Sequence, residues 1–145
     1  MGMTLVLKIK RLDPNVPLPS YAHTDDAACD LYAREAVTLA PGERAQVPTG
    51  LAMHIPDGYA GFVWDKSGLS HKYGLKTLGG VIDAGYRGEV LVGIVNLGNE
   101  SYTVEKYHKV AQLVIQKKEI VQIVETHTLD GSTRGTAGFG STGRV

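Results

Sequence analysis

The densest cluster of residues that could carry chemistry lies at positions 79–88, which read Gly-Gly-Val-Ile-Asp-Ala-Gly-Tyr-Arg-Gly. Asp83 follows the apolar Val81 and Ile82, which we expect to anchor the segment in the core, and it precedes a predicted turn, Ala-Gly. A carboxylate at such a strand end can hold and deprotonate a water molecule. Taken alone, Asp83 is better explained as an ordinary turn aspartate, so its role depends on the rest of the chain.

A second cluster lies in the last residues of the chain. Positions 130–144 combine glycines and hydroxyl side chains with Arg134 and one large apolar residue, Phe139. Glycines let backbone N–H groups crowd around an anion, the guanidinium fork suits phosphate oxygens, and the ring can stack on a base. The segment cannot bury enough surface to order itself. It therefore predicts a flexible tail that closes over a nucleotide.

Two phosphate-binding motifs match this tail literally and fail on context. Residues 138–143 fit G-x-G-x-x-G, but the dinucleotide fingerprint must open a helix inside a βαβ unit. Residues 135–142 approach the P-loop pattern, but Ser141 occupies the lysine position and no helix follows. The tail is therefore interpreted from its composition and order alone.

The bulk composition bounds the class of protein. The chain has 145 residues, of which 43% are apolar and 21% charged, and its 15 basic and 15 acidic residues leave no net charge. These values indicate one globular domain, and the zero net charge does not suggest a basic surface for duplex nucleic acid. The lone Cys29 is typical of a reducing compartment. Residues 1–6 are too short an apolar run for a signal peptide and no stretch is long enough for a membrane span, so we expect a cytoplasmic protein.

Short β-rich runs separated by glycine and proline turns follow one another at intervals of about ten residues, which predicts an all-β sandwich or barrel. We expect one β domain over 1–129 and the flexible tail over 130–145. The only predicted helix is a short one at Ser67–Tyr73. The predicted strands are 6–10, 28–33, 36–39, two pieces within 44–55 around Pro48-Thr49-Gly50, 59–64, 90–96, 102–104, 110–116 and 120–126.

Five blocks of the sequence, taken together and in order, closely resemble the trimeric dUTPase family, which hydrolyses deoxyuridine triphosphate. Any one block is weak evidence, but the five cover nearly the whole chain at the usual separations. They are Ala27–Ala33, Asp65–Leu69, Gly80–Gly88 (the Gly-Val-Ile-Asp and Tyr-Arg-Gly residues), Val110–Leu113 and Arg134–Gly143.

The resemblance implies a distorted jelly roll of the dUTPase type, with at most one short helix, assembled as a homotrimer whose active sites draw on all three subunits. It further implies that Asp83 activates the water that attacks the α-phosphorus. The segment around it would read uracil, largely through its backbone, and Tyr86 would lie against the deoxyribose and leave no space for a 2′-hydroxyl. The implied base-side residues are Gly80, Val81, Ile82, Tyr86 and Leu91.

The same resemblance implies a triphosphate site that uses Mg²⁺, with Asp30 holding a metal-bound water from the outer sphere. Phe139 would cover the uracil. The implied phosphate-side residues are Lys66, Ser67, Gly68, Gln112, Arg134, Gly140, Ser141 and Thr142. The products would be dUMP and pyrophosphate. The reaction would supply dUMP for thymidylate synthesis and limit the incorporation of uracil into DNA.

The sequence departs from the family pattern in four places. In the first block, Ala28 and Cys29 stand where glycine and an aromatic or aliphatic residue are common. Lys66 stands where arginine is usual and lacks the bidentate fork, so its phosphate contact is expected to be looser. Asp65 is an unexpected acid beside a triphosphate site and is expected to pair with Lys66. The fourth block begins Tyr-His-Lys at 107–109 instead of Gly-Asp-Arg, which puts one charge contact in doubt.

Two other functions compete with this interpretation. A dCTP deaminase shares the fold and part of the third block, but its catalytic glutamate position corresponds to Gly93, which has no acid–base group. A non-catalytic jelly roll that binds dUTP and regulates a partner would not need Asp83. The sequence therefore favours the hydrolase.

Overall fold

The structure, a computed structural model, describes residues 4–145; positions 1–3, part of the segment judged for N-terminal targeting, lie outside it. Ten strands and one helix are present among the described residues. They are β1 (Lys8–Arg11), β2 (Cys29–Tyr32), β3 (Val37–Leu39), β4 (Arg44–His54), β5 (Tyr59–Trp64), α1 (Ser67–Tyr73), β6 (Leu75–Leu78), β7 (Val81–Ile82), β8 (Glu89–Asn96), β9 (Tyr102–Val104) and β10 (Lys109–Lys117).

The strands form two four-stranded sheets and one two-stranded ribbon, all antiparallel. The first sheet has the order β1-β4-β8-β6, the second has the order β2-β10-β5-β7, and β3 pairs with β9. This arrangement confirms the predicted all-β sandwich.

Alternation of buried apolar residues with more exposed ones places one face of strands such as β8 in a layered core. On β8, Val90, Val92 and Ile94 are buried while Leu91 and Gly93 between them are not. Since successive side chains of a strand point to opposite faces, this period places one face of the sheet against the core. Leu31 and Leu113 meet that core from the second sheet and are fully buried.

The helix α1 has the predicted bounds and is held mainly at its C-terminal end. Gly74 adopts a left-handed conformation (φ 76°), and its N–H reaches the carbonyls of Leu69 and Ser70. A side chain is excluded at Gly74, because a Cβ there would lie 2.6 Å from the backbone nitrogen of Gly98. The N-cap position is Lys66, whose side chain makes no capping bond, so the helix is not entered through a capping serine.

The chain crosses between the two sheets just after β7. β7 is the edge strand of the second sheet and pairs with β5, while β8 belongs to the first sheet and pairs with β4 and β6. Residues 83–88 make the crossing without a strand ladder, so their conformation depends on individual contacts.

Several local predictions need correction. The predicted strand at Ile120–Thr126 is wrong, because the segment does not form a strand in this chain. Ile120 and Ile123 are 85% and 91% exposed. Its apolar residues have the composition of a strand, but no strand within residues 4–145 pairs with them. Val81 is 68% exposed and does not anchor its segment, whereas Ile82 does. β6, which pairs with β8, was not expected.

The two strand pieces predicted around Pro48-Thr49-Gly50 are one strand with an irregularity. The register of β4 against β8 shifts between Pro48 and Ala52, and Gly50 in that bulge has a φ of 69°. The sequence thus located the distortion but not the continuity of the strand. Within residues 4–145 we find no helix long and apolar enough to cross a membrane.

Candidate active site

A cleft of about 510 Å³ lies over one end of the second sheet. It brings together four residues singled out in the sequence, namely Asp30, Lys66, Ser67 and Gln112. The strand register explains their proximity, because Gln112 on the central strand β10 faces Asp30 on β2 and Trp64 on β5. Trp64 also lines the cleft and is 55% exposed. The cleft mixes cationic, hydroxyl and amide donors, which is a suitable environment for phosphate oxygens.

Asp30 is the buried charge of this cleft, with 4% of its surface exposed. Lys66 Nζ donates to its Oδ1 at 2.6 Å, and Lys109 Nζ lies 3.2 Å from its Oδ2. Burial raises the pKa of the Asp30 carboxyl, but the two ammonium groups outweigh burial, and the pKa lies below its usual value. Asp30 is therefore ionised at neutral pH and holds Lys66 at the cleft.

Lys109 shows that the fourth block keeps a charge contact despite its altered sequence. That contact is the ion pair of Lys109 with Asp30, which lies within the chain. The hydrogen bond to that carboxylate raises the pKa of Lys109. Sequence reasoning missed the pair because the two residues are far apart in the chain and meet only through the β2–β10 register.

Asp65 does not pair with Lys66 as expected. Its Oδ1 accepts the backbone N–H of Thr77 at 2.6 Å, and its Oδ2 lies 2.9 Å from Lys76 Nζ. Burial raises the pKa of Asp65, but the Thr77 N–H and the Lys76 ammonium more than compensate and lower it. The side chain thus fastens the loop that carries Lys66 and Ser67 to β6. No sequence signal pointed to this role, because β6 itself was not foreseen.

Gln112 braces the same loop from the other side. Its amide Nε2 donates to the backbone carbonyl of Asp65 at 2.6 Å. The sequence-predicted phosphate ligand is thus engaged with the loop, while its amide oxygen and second N–H remain for other partners. Ser67 and Gly68 form the first turn of α1 directly after this loop.

Asp83 lies outside this cleft, in the crossing after β7. It is exposed, and its carbonyl accepts the N–H of Tyr86 at 3.1 Å, which closes the predicted turn. Gly80 precedes it with a φ of 111°, and a Cβ there would lie 2.8 Å from the carbonyl oxygen of Val63. Only glycine fits that position, so the entry to the turn has one available geometry.

Tyr86 is fixed by two neighbours in the same turn. Its hydroxyl donates to the carbonyl of Glu89 at 2.7 Å. Its ring lies over Gly88, where a Cβ would come within 3.0 Å of three ring and hydroxyl atoms. The ring, which is 46% exposed, is thereby presented to solvent at a defined angle. Leu91, two residues along β8 from Glu89, is also exposed.

The residues predicted to act in the tail do not line the cleft and do not belong to the turn at Asp83. Its hydrogen bonds join tail residues to one another, as when Arg134 Nε donates to the Ala137 carbonyl at 2.6 Å. Phe139 is fully exposed and has a φ of 51°, while Gly140, Ser141 and Thr142 lie in exposed turns. Among residues 4–145, no hydrogen bond or ion pair joins the tail to a residue that lines the cleft.

The geometry of the second sheet separates the cleft from the turn at Asp83. Asp83 directly follows β7, which lies three strands away from β2 in the second sheet. Along the strand direction, Asp83 lies four residues from the row formed by Asp30, Gln112 and Trp64. With strands about 4.8 Å apart and about 3.4 Å per residue, Asp83 and Asp30 lie about 20 Å apart. The turn at Asp83 and the cleft are therefore separate regions of one chain.

Comparisons with known proteins point to one family. The dUTPase family model matches residues 14–143. A deoxyuridine 5′-triphosphate nucleotidohydrolase of Streptomyces griseus subsp. griseus is 51% identical over 138 residues, which cover 93% of this chain and 78% of that protein.

Solved structures agree with this family match. The dUTPase of Staphylococcus bacteriophage 80alpha with dUPNHPP superimposes with a TM-score of 0.91 at 32% identity, covering 97% of this chain and all of that one. A mutant dUTPase from phage phi11 of S. aureus, described with a structural Mg(II) ion, gives a TM-score of 0.80 at 28% identity over 85% of this chain and 97% of its own.

The buried Asp30 pair predicts a specific dependence of stability on pH. Asp30→Asn removes the charge that both lysines share, and we expect a loss of about 1–3 kcal/mol near pH 7, below the range for fully buried pairs because the lysines are partly exposed. Since the folded-state pKa is lowered, this stabilisation is complete above the unfolded pKa of about 4 and is lost as the pH falls through the folded pKa.

Urea unfolding at several pH values, compared with the exposed Asp25→Asn as a matched control, measures the effect. The gap between wild type and Asp30→Asn should narrow toward pH 3, while Asp25→Asn should follow wild type throughout. A gap of constant size across this range would contradict the assignment.

Proposed function

The chain belongs to the dUTPase family, and from that membership we infer that it hydrolyses dUTP to dUMP and pyrophosphate. The observation that carries this inference is the edge position of β7. Because β7 pairs only with β5 among residues 4–145, the other edge of this strand is open to a partner. Uracil presents a fixed row of acceptor, donor and acceptor groups, and a rigid backbone edge can match that row. Gly80, Val81 and Ile82 supply the edge.

The turn beyond this edge suits discrimination of the base and the sugar. A backbone edge that contacts the base too closely to admit a 5-methyl group rejects thymine, and the fixed hydrogen-bond donors and acceptors of that edge reject cytosine. The ring of Tyr86 lies against the deoxyribose and leaves no space for a 2′-hydroxyl. Leu91 contributes apolar surface beside it.

We propose that Asp83 is the general base. Its exposed carboxylate accepts a proton from a water molecule as the water oxygen attacks the α-phosphorus in line. The bond from that phosphorus to the bridging oxygen breaks, and pyrophosphate leaves. The ordered turn around Asp83 favours this role, because it fixes the main chain that carries the carboxylate at the end of the β7 edge.

The cleft is the proposed phosphate site. Lys66, Ser67, the Gly68 backbone and Gln112 bind the phosphate chain, and Arg134, Gly140, Ser141 and Thr142 of the tail clamp its far end while Phe139 covers the uracil. Asp65 and Asp30 keep the Lys66 loop in place through the contacts described above. Lys66 supplies a point charge in place of a guanidinium fork.

The donor set of the cleft fits a hydrated Mg²⁺ better than a directly ligated ion. Within residues 4–145 no three metal-binding side chains converge, and Mg²⁺ is commonly held by substrate phosphates and waters. Asp30 uses two of its roughly four acceptor positions for lysines and retains others for a metal-bound water. When bound, the ion neutralises charge on the departing phosphate oxygens.

We propose a homotrimer with shared active sites. The separation of about 20 Å between Asp83 and Asp30 within one chain is removed if the cleft of one subunit faces the β7 edge of another. The exposed apolar residues Ile120, Ile123 and Leu129 support association, since such surface marks interaction sites. The body would then extend over 1–129 and the tail over 130–145 would close a neighbouring site.

The deaminase alternative is disfavoured by the structure around Gly93. A Cβ at this position would lie 3.0 Å from the carbonyl oxygen of Leu78 on β6, so a glutamate would require that strand to shift. Neither nucleic acid nor membrane is a proposed partner, and the location we propose is the cytoplasm, where a lone buried cysteine stays reduced.

A substrate panel tests the inferred activity. Pyrophosphate release from dUTP should exceed release from dCTP, dTTP and UTP by at least about 100-fold, because the reader rejects each analogue through a missing bond or a clash. Ammonia release from dCTP measures the deaminase alternative in parallel. Equal hydrolysis of the four nucleotides, or none of dUTP, would remove the proposal.

Asp83→Asn tests the general base. We expect turnover to fall by about 10²–10⁴-fold while dUTP binding changes little, because the amide keeps the shape and loses basicity. Asp57→Asn is a matched control, since Asp57 also lies in a turn and its side chain is 98% exposed. Steady-state turnover together with calorimetric binding of a non-hydrolysable analogue separates the two effects. Wild-type turnover in Asp83→Asn would exclude the assignment.

Deletion from Arg134 onward tests the tail. The truncated chain should keep its folded trimer, and dUTP hydrolysis should fall by about 100-fold, the scale of lost substrate positioning. Deletion of only residues 144–145 leaves the proposed clamp intact and should preserve activity. Analytical ultracentrifugation and kinetics provide the readouts. An unfolded truncated chain, or one as active as wild type, would show that the tail is not a lid.

A further inference from the structure

Glu89 stands at the point where the crossing after β7 joins β8. Its carboxylate Oε2 accepts the backbone N–H of Gly50 at 2.8 Å and lies 3.4 Å from Arg34 Nη1. Its backbone carbonyl accepts the hydroxyl of Tyr86 at 2.7 Å. One residue therefore connects the sugar-facing ring to the interior of the first sheet.

The Gly50 contact fills a gap in the sheet ladder. The register of β4 against β8 shifts between Pro48 and Ala52, so the N–H of Gly50 lies within the irregular part of the strand. Gly50 has a φ of 69°, and its carbonyl accepts the N–H of Leu12 at 2.7 Å. The Glu89 carboxylate supplies the acceptor that the interrupted ladder does not, and it thereby fixes its own main chain against the bulge.

Arg34 contacts the same carboxylate oxygen, Oε2, that accepts the Gly50 N–H. Its backbone N–H donates to the carbonyl of Pro48 at 2.8 Å, which seats it beside the same bulge. Its Nε lies 4.0 Å from Asp13 Oδ2, and Asp13 in turn accepts the hydroxyl of Tyr107 at 3.0 Å. The guanidinium is thus itself held in place, and it presents its charge to Glu89 from a fixed point.

This arrangement is needed because residues 83–88 have no ladder of their own. Tyr86 depends on its hydroxyl bond to the Glu89 carbonyl and on the ring contact with Gly88. A shift of Glu89 would move that acceptor, and the ring would follow. Displacements of about 1 Å at a substrate-facing group are enough to cost a large factor in rate.

We propose that Glu89, tethered by Gly50 and Arg34, is a positioning residue that sets the discrimination between deoxyribose and ribose by fixing Tyr86. The inference rests on the proposed function, in which the Tyr86 ring meets the sugar. Glu89 acts through Tyr86 and does not itself touch substrate. Loosening it lets the ring retreat, which admits a 2′-hydroxyl and weakens contact with the deoxyribose.

The ratio of kcat/KM for dUTP to kcat/KM for UTP is the readout, because a general loss of stability does not change a ratio of two substrates. In the full-length protein, Glu89→Ala should lower this ratio about tenfold, mainly through a higher KM for dUTP. Glu89→Gln keeps an oxygen for the Gly50 N–H and should stay within about threefold of wild type.

Glu43→Ala is the matched control. Glu43 also uses a carboxylate to accept a backbone N–H, that of Ala40 at 2.8 Å, but in an exposed turn away from residues 83–89. Its loss removes the same kind of bond and should leave the ratio unchanged. An unchanged ratio in Glu89→Ala, a matching fall in Glu43→Ala, or a glutamine variant as impaired as alanine would overturn the proposal.

A double-mutant cycle that combines Glu89→Ala with Tyr86→Phe tests the connection between the two residues directly. If Glu89→Ala does not fold, Arg34→Met takes its place in the cycle. Tyr86→Phe removes the hydroxyl bond through which Glu89 acts, so the second substitution should lower the ratio less in this background than in wild type. Fully independent effects would overturn the proposal. A wild-type protein that does not hydrolyse dUTP would instead overturn the proposed function, so the two failures are distinguishable.

Discussion

The central position of β10 is the constraint on which the cleft depends. Because β10 pairs with β2 on one side and β5 on the other, its register brings Asp30, Gln112 and Trp64 into one row. These residues come from three distant parts of the chain, and no local preference would join them. The buried charge of Asp30 is tolerable because the same register brings Lys109 beside it and because the loop between β5 and α1 brings Lys66 to it. Sheet geometry and charge pairing thus require each other.

The parts of the molecule that the sequence predicts are those controlled by local chemistry. Apolar alternation and turn residues located most strands, and the bounds of α1 follow from a short polar segment that ends at Gly74. The turn at Asp83 was likewise visible, since its glycines and apolar pair are adjacent in the chain. The five resemblance blocks then supplied the fold and the family, which apolar patterning alone would have left as an unspecified β sandwich.

The parts that were not predicted depend on contacts between distant residues or on neighbours outside the chain. The Asp65 contact with Thr77 required a strand, β6, that sequence patterning did not reveal. The Asp30–Lys109 pair required the β2–β10 register. The segment 120–126 failed for the opposite reason: its composition is that of a strand, but strand formation needs a partner, and within the described chain these side chains face solvent.

Trp64 has a consequence of a different kind. It is the single tryptophan of the sequence, and its half-exposed indole lies on the wall of the cleft beside Lys66 and Ser67. Light absorbed near the red edge of the protein spectrum therefore excites one chromophore at one known place. An anion that enters the cleft changes the polarity around that indole, so the fluorescence of the protein itself reports whether the cleft is occupied, without a label and without turnover.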